Sequence, residues 1–353
     1  NYIIKHINRI KGDGDDVVEQ EILNSEDYDV VAGKRNIIMN GLYSISILGI
    51  IIFIASIGSI VSIIPKFVAA GFDGDGFRVL VVAITVAFSL ALGTGAGFVK
   101  NFLKLYDFKL KRKNNKIYIK HGLFKKVNFA IPVNRINAII VHQTFIARLF
   151  KKYAVEIVNV GMGDEKEERN SFLVLYCTKE KLRQQLELLL PEMAPAVDQN
   201  VKRQPGTAWA AWAFPFTVYV LAVVLAAAAG SVMTDGVASS DRFPVLASIW
   251  GGAALLIISV IVGMILEYRT AGMSAGENML KLRSGYFGTH STAVNYSNIQ
   301  YAEFSQSFLA KRCGIRKGQI HLLAAAGKAS YDIPYFGDGL EENIKAGMLK
   351  RTV

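Results

Sequence analysis

The sequence predicts a mixed membrane protein: four transmembrane helices in two hairpins, plus two cytoplasmic antiparallel β-domains, each capped by a C-terminal helix. Three observations carry that reading. Four long apolar segments are free of Asp, Glu, Lys, Arg and His; an alternating period follows each pair of them; and the stretch IPVNRINAIIVHQ, Ile131 to Gln143, is echoed by VNYSNIQYAEFSQ, Val294 to Gln306.

Composition agrees with the first observation. The 353 residues are 52% apolar and 20% charged, with a formal net charge of +11 and a mean hydropathy of +0.30. A soluble domain seldom combines such apolar content with such a charge, so membrane spans with basic extramembrane parts are expected. Each span needs about 20 apolar residues. The candidates run from Ile37 to Ile64, Val79 to Val99, Thr207 to Ala229 and Phe243 to Leu266. The short connections PKFVAAGFDGDGFR and GSVMTDGVASSDR carry few cations, whereas Lys34, Arg35, Lys100, Lys104, Lys202, Arg203 and Arg269 flank the other ends. The excess of cations on that side predicts a multi-pass protein of the cell (cytoplasmic) membrane with the N-terminus, both β-domains and the C-terminus in the cytoplasm. Trp209 and Trp212 fall at a cytoplasmic boundary, where amphipathic rings concentrate.

Between the hairpins the period shortens. KIYIKHGLFKKVNFAIPV alternates at Ile117 and Ile119, turns at Gly122 and resumes, as paired strands do. YAVEIVNV and SFLVLYC read as further strands around the polar loop GMGDEKEERN. In TKEKLRQQLELLLPEM, Leu182, Leu186 and Leu189 share one helical face and Pro191 ends the run. A constant offset lays Gly122 on Gly285, Ile136 on Ile299, Gln143 on Gln306, Phe145 on Phe308 and Ala147 on Ala310. A unit of that length is a duplicated domain, because solenoid repeats run only about 20 to 50 residues. The expected boundaries are an acidic segment over 1–36, a hairpin over 37–99, a β-domain over 100–192, a linker over 193–206, a second hairpin over 207–266 and a second β-domain over 267–353. Residues 1–36 are read as the tail of a preceding unit in a longer protein.

The run YDFKLKRKNNKIYIKHGLFKKVNFAIPVNRINAIIVHQTFIARLF, the apolar pair before it and the repetition of the whole resemble the bacterial pleckstrin-homology-like (bPH) polytopic membrane proteins. The HGLF turn, the IPVNRI strand start and the Q-x-F-x-A-R end carry the likeness, which covers 37–190 and, more faintly, 207–350. The second copy departs from it with Asn295 for Pro132 and Asn298 for Arg135. The resemblance implies that each β-domain is a pleckstrin-homology-type barrel of about seven strands under a terminal helix, a platform whose ligand differs between members.

Charge marks the candidate site. Lys and Arg crowd residues 100–152, where Asp107 is the sole acid. Cations there can lie against anionic head groups, at about 1 kcal/mol each, or serve only to set topology and solvate a face. The loop KLKRKNNK joins the first two strands, and the resemblance implies that a basic loop in this place contacts head-group phosphates. Lys109, Lys111, Arg112, Lys113, Lys116, Lys120 and Arg135 are therefore the candidate lipid head-group binding residues. Arg135, read as part of the alternating strand, is expected to pair with an acid or to reach a ligand. Nucleic acid is not an expected partner, because the basic run lacks an aromatic stacking platform.

Other motifs lead elsewhere. LGTGAGF lacks the strand, helix and acidic residue of a dinucleotide fingerprint, so Gly93 and Gly97 are read as a GxxxG helix-packing face. The DGDG at Asp73 to Gly76 lacks the later ligands of a calcium loop. Cys177 and Cys313 have no CxxC or Cys/His partner, no histidine pair has metal-ligand spacing, and no nucleophile motif occurs. No cofactor, metal or enzymatic activity is expected. The acids Asp13, Asp15, Asp16, Glu19, Glu21, Glu26, Asp27 and Asp29 form either a solvated linker or a segment that docks on the basic domain.

These features together predict a non-enzymatic membrane-anchored binding or scaffold protein that recruits anionic lipid, a protein partner or a second copy of itself. By analogy, a role in envelope protection against membrane-active agents is expected. The alternative is a subunit of a transport or export assembly.

Overall fold

The computed structural model describes residues 28–46, single positions between 49 and 97, and residues 99–159, 170–236, 239–324, 327–337 and 339–349. It divides into two compact units, 1–197 and 198–353.

In the first unit, β1 (Val30–Val31) precedes α1 (Lys34–Tyr43) and pairs antiparallel with β2 (Lys109–Lys113). The ladder continues through β3 (Lys116–His121) and β4 (Val127–Pro132). Asn114 and Asn115, with φ of 50° and 58°, form the β2–β3 turn, since two consecutive positive φ values match the twist of a tight hairpin. A 3₁₀ turn at Val133–Arg135 redirects the chain into β5 (Ile136–Gln143), which after α2 (Phe145–Leu149) pairs with β6 (Tyr153–Asn159), and β6 pairs in turn with β7 (Asn170–Cys177). Leu110, Ile117, Ile119 and Ile131 of the first ladder and Ile139, Ile157 and Leu173 of the second are fully buried. The apolar face of α3 (Lys179–Leu189), with Leu182, Leu186 and Leu189, is buried too. Each such side chain stabilises the fold by about 1.5–3 kcal/mol.

The free edge of β7 is covered by α1. Asn40 is completely buried, and its Oδ1 accepts the Tyr176 backbone N–H at 3.1 Å, while the Tyr43 ring meets Tyr176 edge-on at 5.8 Å. An unpaired strand edge would otherwise template association with another chain.

The second unit holds α4 (Ala208–Val232) and α5 (Ser239–Thr270), antiparallel neighbours whose connection includes a 3₁₀ turn at Met233–Gly236. Its first ladder runs β8 (Lys202–Arg203), β9 (Gly272–Ala275), β10 (Met279–Ser284) and β11 (Thr289–Asn295). A 3₁₀ turn at Tyr296–Asn298 leads into β12 (Ile299–Ser305); α6 (Phe308–Arg312), β13 (Ile315–Ala324), β14 (Gly327–Gly337) and α7 (Leu340–Leu349) complete it. Ala208 and Ala211 of α4 pack with Ala310, Ile315 and Tyr335, which fastens the helix pair to the sheet.

The same local chemistry recurs at equivalent positions. Gln143 donates to the Lys152 carbonyl and Gln306 to the Ile315 carbonyl, at 3.2 and 2.9 Å. Thr144 and Ser307 cap the short helices α2 and α6 by accepting from the Ala147 and Ala310 amides. Such caps satisfy N–H groups that a helix start leaves without partners.

The structure corrects the predicted fold class. Two helices, not four, are long and apolar enough to cross a membrane among the described residues, Ala208–Val232 and Arg242–Thr270. The expected spans Ile37–Ile64 and Val79–Val99 fall mostly outside those residues. Where the first expected span begins, Ile37, Asn40, Gly41 and Tyr43 are buried in α1 against the first unit. Hydropathy alone does not distinguish an apolar docking face from a lipid-facing one. Among the described residues the strands form separate antiparallel ladders rather than the continuously paired barrels expected. Among the described residues no ladder pairing joins β4 to β5 or β7 to β1, because the 3₁₀ turn breaks the first connection and α1 occupies the free edge of β7.

Candidate functional site

Strand parity decides what the cations do. On β2, Lys109, Lys111 and Lys113 share one face, and the register pairs them with Lys120, Tyr118 and Lys116 of β3. Five lysines therefore occupy one face of a single hairpin, and Lys109 lies directly opposite Lys120 and Lys113 opposite Lys116. Like charges directly opposite on a sheet are destabilising. Leu110, Ile117 and Ile119 point the other way, into the core.

Individual roles differ. Lys109 Nζ pairs with Asp107 at 3.0 Å and stands 5.7 Å from the centre of the Tyr28 ring. Lys111, Lys116 and Lys120 are half-buried and Lys113 is exposed at the tip. Arg112 lies on the opposite face. Its Nη1 donates to the Leu189 carbonyl at 3.1 Å and to Glu192 Oε2 at 3.0 Å, and its Nη2 donates to Glu192 Oε1 at 2.6 Å. Its own amide donates to Asp29 at 2.7 Å. This two-pronged contact ties β2 to the end of α3. Arg135 lies in the 3₁₀ turn rather than in a strand; it is exposed and has no ion-pair partner among the described residues. Gly93 and the segment Asp73–Gly76 lie outside the described residues, as do the acids of residues 12–33 apart from Asp29. An added Cβ at Gly97 would meet nothing within 4 Å.

The hydrogen bond from Arg112 holds the Glu192 carboxyl below its ordinary range, against a smaller opposing effect of burial. A depressed carboxyl pKa stabilises the fold above the unfolded value of about 4.3 and loses that contribution as pH falls through the folded value. The wild type should therefore lose melting temperature more steeply than Glu192→Gln between pH 5 and 3. Parallel melting curves for the two proteins would refute the clamp. Elsewhere in this unit, burial pushes the Cys177 thiol up to about 11 and the Tyr176 phenol up to about 12. Cys177 is thus a neutral packing residue at pH 7, with little thiolate available for nucleophilic attack.

The turn after β3 lies beside this face. Gly122, at φ +109°, donates its amide to the Tyr106 carbonyl at 2.7 Å, Leu123 donates to the Leu103 carbonyl at 3.0 Å, and His121 Nδ1 lies 2.8 Å from the Lys104 carbonyl. These contacts satisfy carbonyls at the end of the helical turn over 99–104. The turn leaves Phe124 84% exposed beside Lys125 and Lys126. An aromatic among lysines suits a membrane–water boundary.

The second unit keeps the register and loses the charge. Arg283 pairs with Gly272 and Lys281 with Ser274, where the first unit pairs Lys120 with Lys109 and Tyr118 with Lys111. Gly276 and Met279 stand at the positions of Lys113 and Lys116. Of the five cationic positions, only that of Lys120 keeps a cation, as Arg283.

Sequence reasoning did not find a second feature, a cavity of about 450 Å³ in the second unit between the ends of α4 and α5 and the ladder β12–β13–β14. Its walls come from well-separated segments, so no local motif announces it.

The family model described as Bacterial PH domain matches residues 44–188 and 215–346. The UPF0699 transmembrane protein YdbT of Bacillus subtilis (strain 168) is 23% identical over 292 residues, 80% of this chain and 54% of that protein. The chain thus spans about half the length of this curated relative. No solved structure matches.

Proposed function

The chain belongs to the bacterial PH domain family, and from that premise we propose that it is a membrane-anchored binding module whose first unit holds anionic lipid head groups on the β2–β3 face. It carries no catalytic role in this reading. One observation supports it above all: five lysines share one face of the hairpin, and at its tip the exposed Lys113 lies directly opposite Lys116, a pairing that costs stability in isolation. An anionic surface removes that cost. Topology charges need only flank a span, so they do not require this alignment.

The remaining assignments follow from the same reading. The two units descend from one duplicated segment and face the cytoplasm from a multi-pass anchor. The first has specialised in head-group contact, and the second, having lost the lysines, is free for another ligand. Recruitment of a protein partner to this platform, in the service of envelope protection, is the physiological role that fits.

The test uses the full chain in neutral detergent, titrated with short-chain phosphatidylglycerol and short-chain phosphatidylcholine. At about 1 kcal/mol per cation, the combined Lys111→Gln, Lys113→Gln and Lys116→Gln variant should bind phosphatidylglycerol roughly 100-fold more weakly. Binding to phosphatidylcholine should not change. Equal affinity of the wild type for the two lipids, or an unaffected variant, would sink the proposal.

A further inference from the structure

We propose that the second unit rests on the bilayer surface through two apolar points, Phe308 of α6 and Tyr286 in the turn between β10 and β11, which enter the head-group boundary beside the helix pair. The inference rests on the reading of α4 and α5 as the membrane anchor and is independent of the lysine face, which lies in the other unit.

Position comes first. Trp209 lies 5.6 Å from Trp212 and 5.3 Å from Tyr268, ring centre to ring centre. Aromatic rings gathered where one apolar helix begins and its neighbour ends mark the membrane–water boundary. Both apolar points are fastened at that level. Ala310 of α6 is fully buried against Ala208 and Ala211 in the first turn of α4, and Trp212 packs on the same cluster. At the end of α5, the Thr270 hydroxyl is in hydrogen-bond contact with the Gly285 carbonyl, which holds the turn against the helix. Tyr286 then reaches back along α5. Its Cε1 lies 3.9 Å from the place of a Gly263 Cβ, and Gly263 stands about two helical turns, or about 10 Å, before Thr270.

The exposed chemistry selects what covers these points. Phe308 is 80% exposed and Tyr286 53% exposed. The Tyr286 hydroxyl is engaged by the Glu267 carboxyl, so the apolar ring is the part of this side chain left to be covered. Lys311 and Arg312 follow Phe308 on α6 and are exposed. A ring followed by cations fits a phospholipid surface, where the ring enters the acyl boundary and the cations meet phosphates. A protein partner covering the same rings would have to lie within the head-group layer itself.

The first unit repeats both points in its own residues. At the position of α6, α2 leaves Leu149 and Phe150 exposed beside Arg148 and Lys151, and the turn at the position of Gly285 leaves Phe124 exposed beside Lys125 and Lys126. Two units that differ at the lysine positions agree on this feature.

The experiment uses the full chain in nanodiscs, with Cys177→Ala and Cys313→Ala removing the native thiols. A nitrobenzoxadiazole label is then attached singly through Phe308→Cys, Tyr286→Cys, Leu323→Cys or Ile258→Cys. Lipids brominated along the acyl chain should quench the labels at Phe308 and Tyr286 roughly twofold, because an interfacial side chain lies about 5–10 Å into the head-group and acyl boundary. Leu323 is the control that should stay unquenched. It is 47% exposed, yet it lies about 26 Å along β13 from Ile315, which packs on the start of α4. Ile258, exposed in the middle of α5, reads the anchor itself. With Ile258 quenched, an unquenched label at either apolar point would overturn the inference and leave the anchor standing. An unquenched Ile258 would overturn both. Quenching at Leu323 equal to that at Phe308 would also overturn the inference, because the lipid contact would not be confined to this end of the unit.

Discussion

Gly122→Ala should lower the melting temperature of the protein by roughly 5–10 °C, corresponding to about 3 kcal/mol lost from the first unit. Two effects add. The backbone at φ +109° lies where L side chains are strained, and an ideal Cβ would sit 2.0 Å from the Lys125 carbonyl oxygen. That oxygen belongs to the backbone, so no side chain can swing aside, and the turn must open. Opening it would withdraw the Gly122 and Leu123 amides from the carbonyls they satisfy. Gly285→Ala should do the same in the second unit, where φ is +139° and the Cβ would lie 2.1 Å from the Gly288 oxygen. Gly33 is the control, with φ of −65° and nothing within 4 Å of an added Cβ. Differential scanning fluorimetry on the three variants decides the matter. If Gly122→Ala melted with Gly33→Ala, the turn would not be a fixed part of the fold.

What the sequence made legible was periodic or local. The alternation at Ile117 and Ile119 marks β3 because a half-buried strand must alternate, and both side chains are fully buried. Leu182, Leu186 and Leu189 mark the terminal helix for the same kind of reason. What failed was anything that depended on partners distant in the chain. Asn40 is indistinguishable from any polar residue near an apolar run until the Tyr176 amide appears opposite it. Arg112 stands among the lysines in sequence, and only strand parity separates it from them. Counting from the buried Leu110 would have assigned it to the other face, where Glu192 holds it. The cavity of the second unit had no sequence signal, since Gln204, Glu267, Glu303 and Asp332 converge only after folding.

The sharpest separation between a lipid-binding face and a merely basic one comes from Lys113→Glu. Lys113 is exposed and lies directly opposite Lys116. Replacing a like-charge pair by an opposite-charge pair should stabilise the hairpin by about 0.2–1 kcal/mol. The same change removes one cation and adds one anion at the face, a two-charge difference for an anionic head group. At about 1 kcal/mol per charge, phosphatidylglycerol affinity should fall roughly 30-fold. Stability and binding thus move in opposite directions for one substitution, and unfolding cannot produce that combination, because a damaged fold would lose both. Raising the salt concentration should shrink both effects, as screening of exposed charges requires. If Lys113→Glu stabilised the protein and left phosphatidylglycerol binding intact, the lysines would be solvated charges and the lipid site would have to be sought away from this hairpin. If it neither stabilised nor weakened binding, Lys113 and Lys116 would not be held opposite each other, and the register that defines the face would itself be in error.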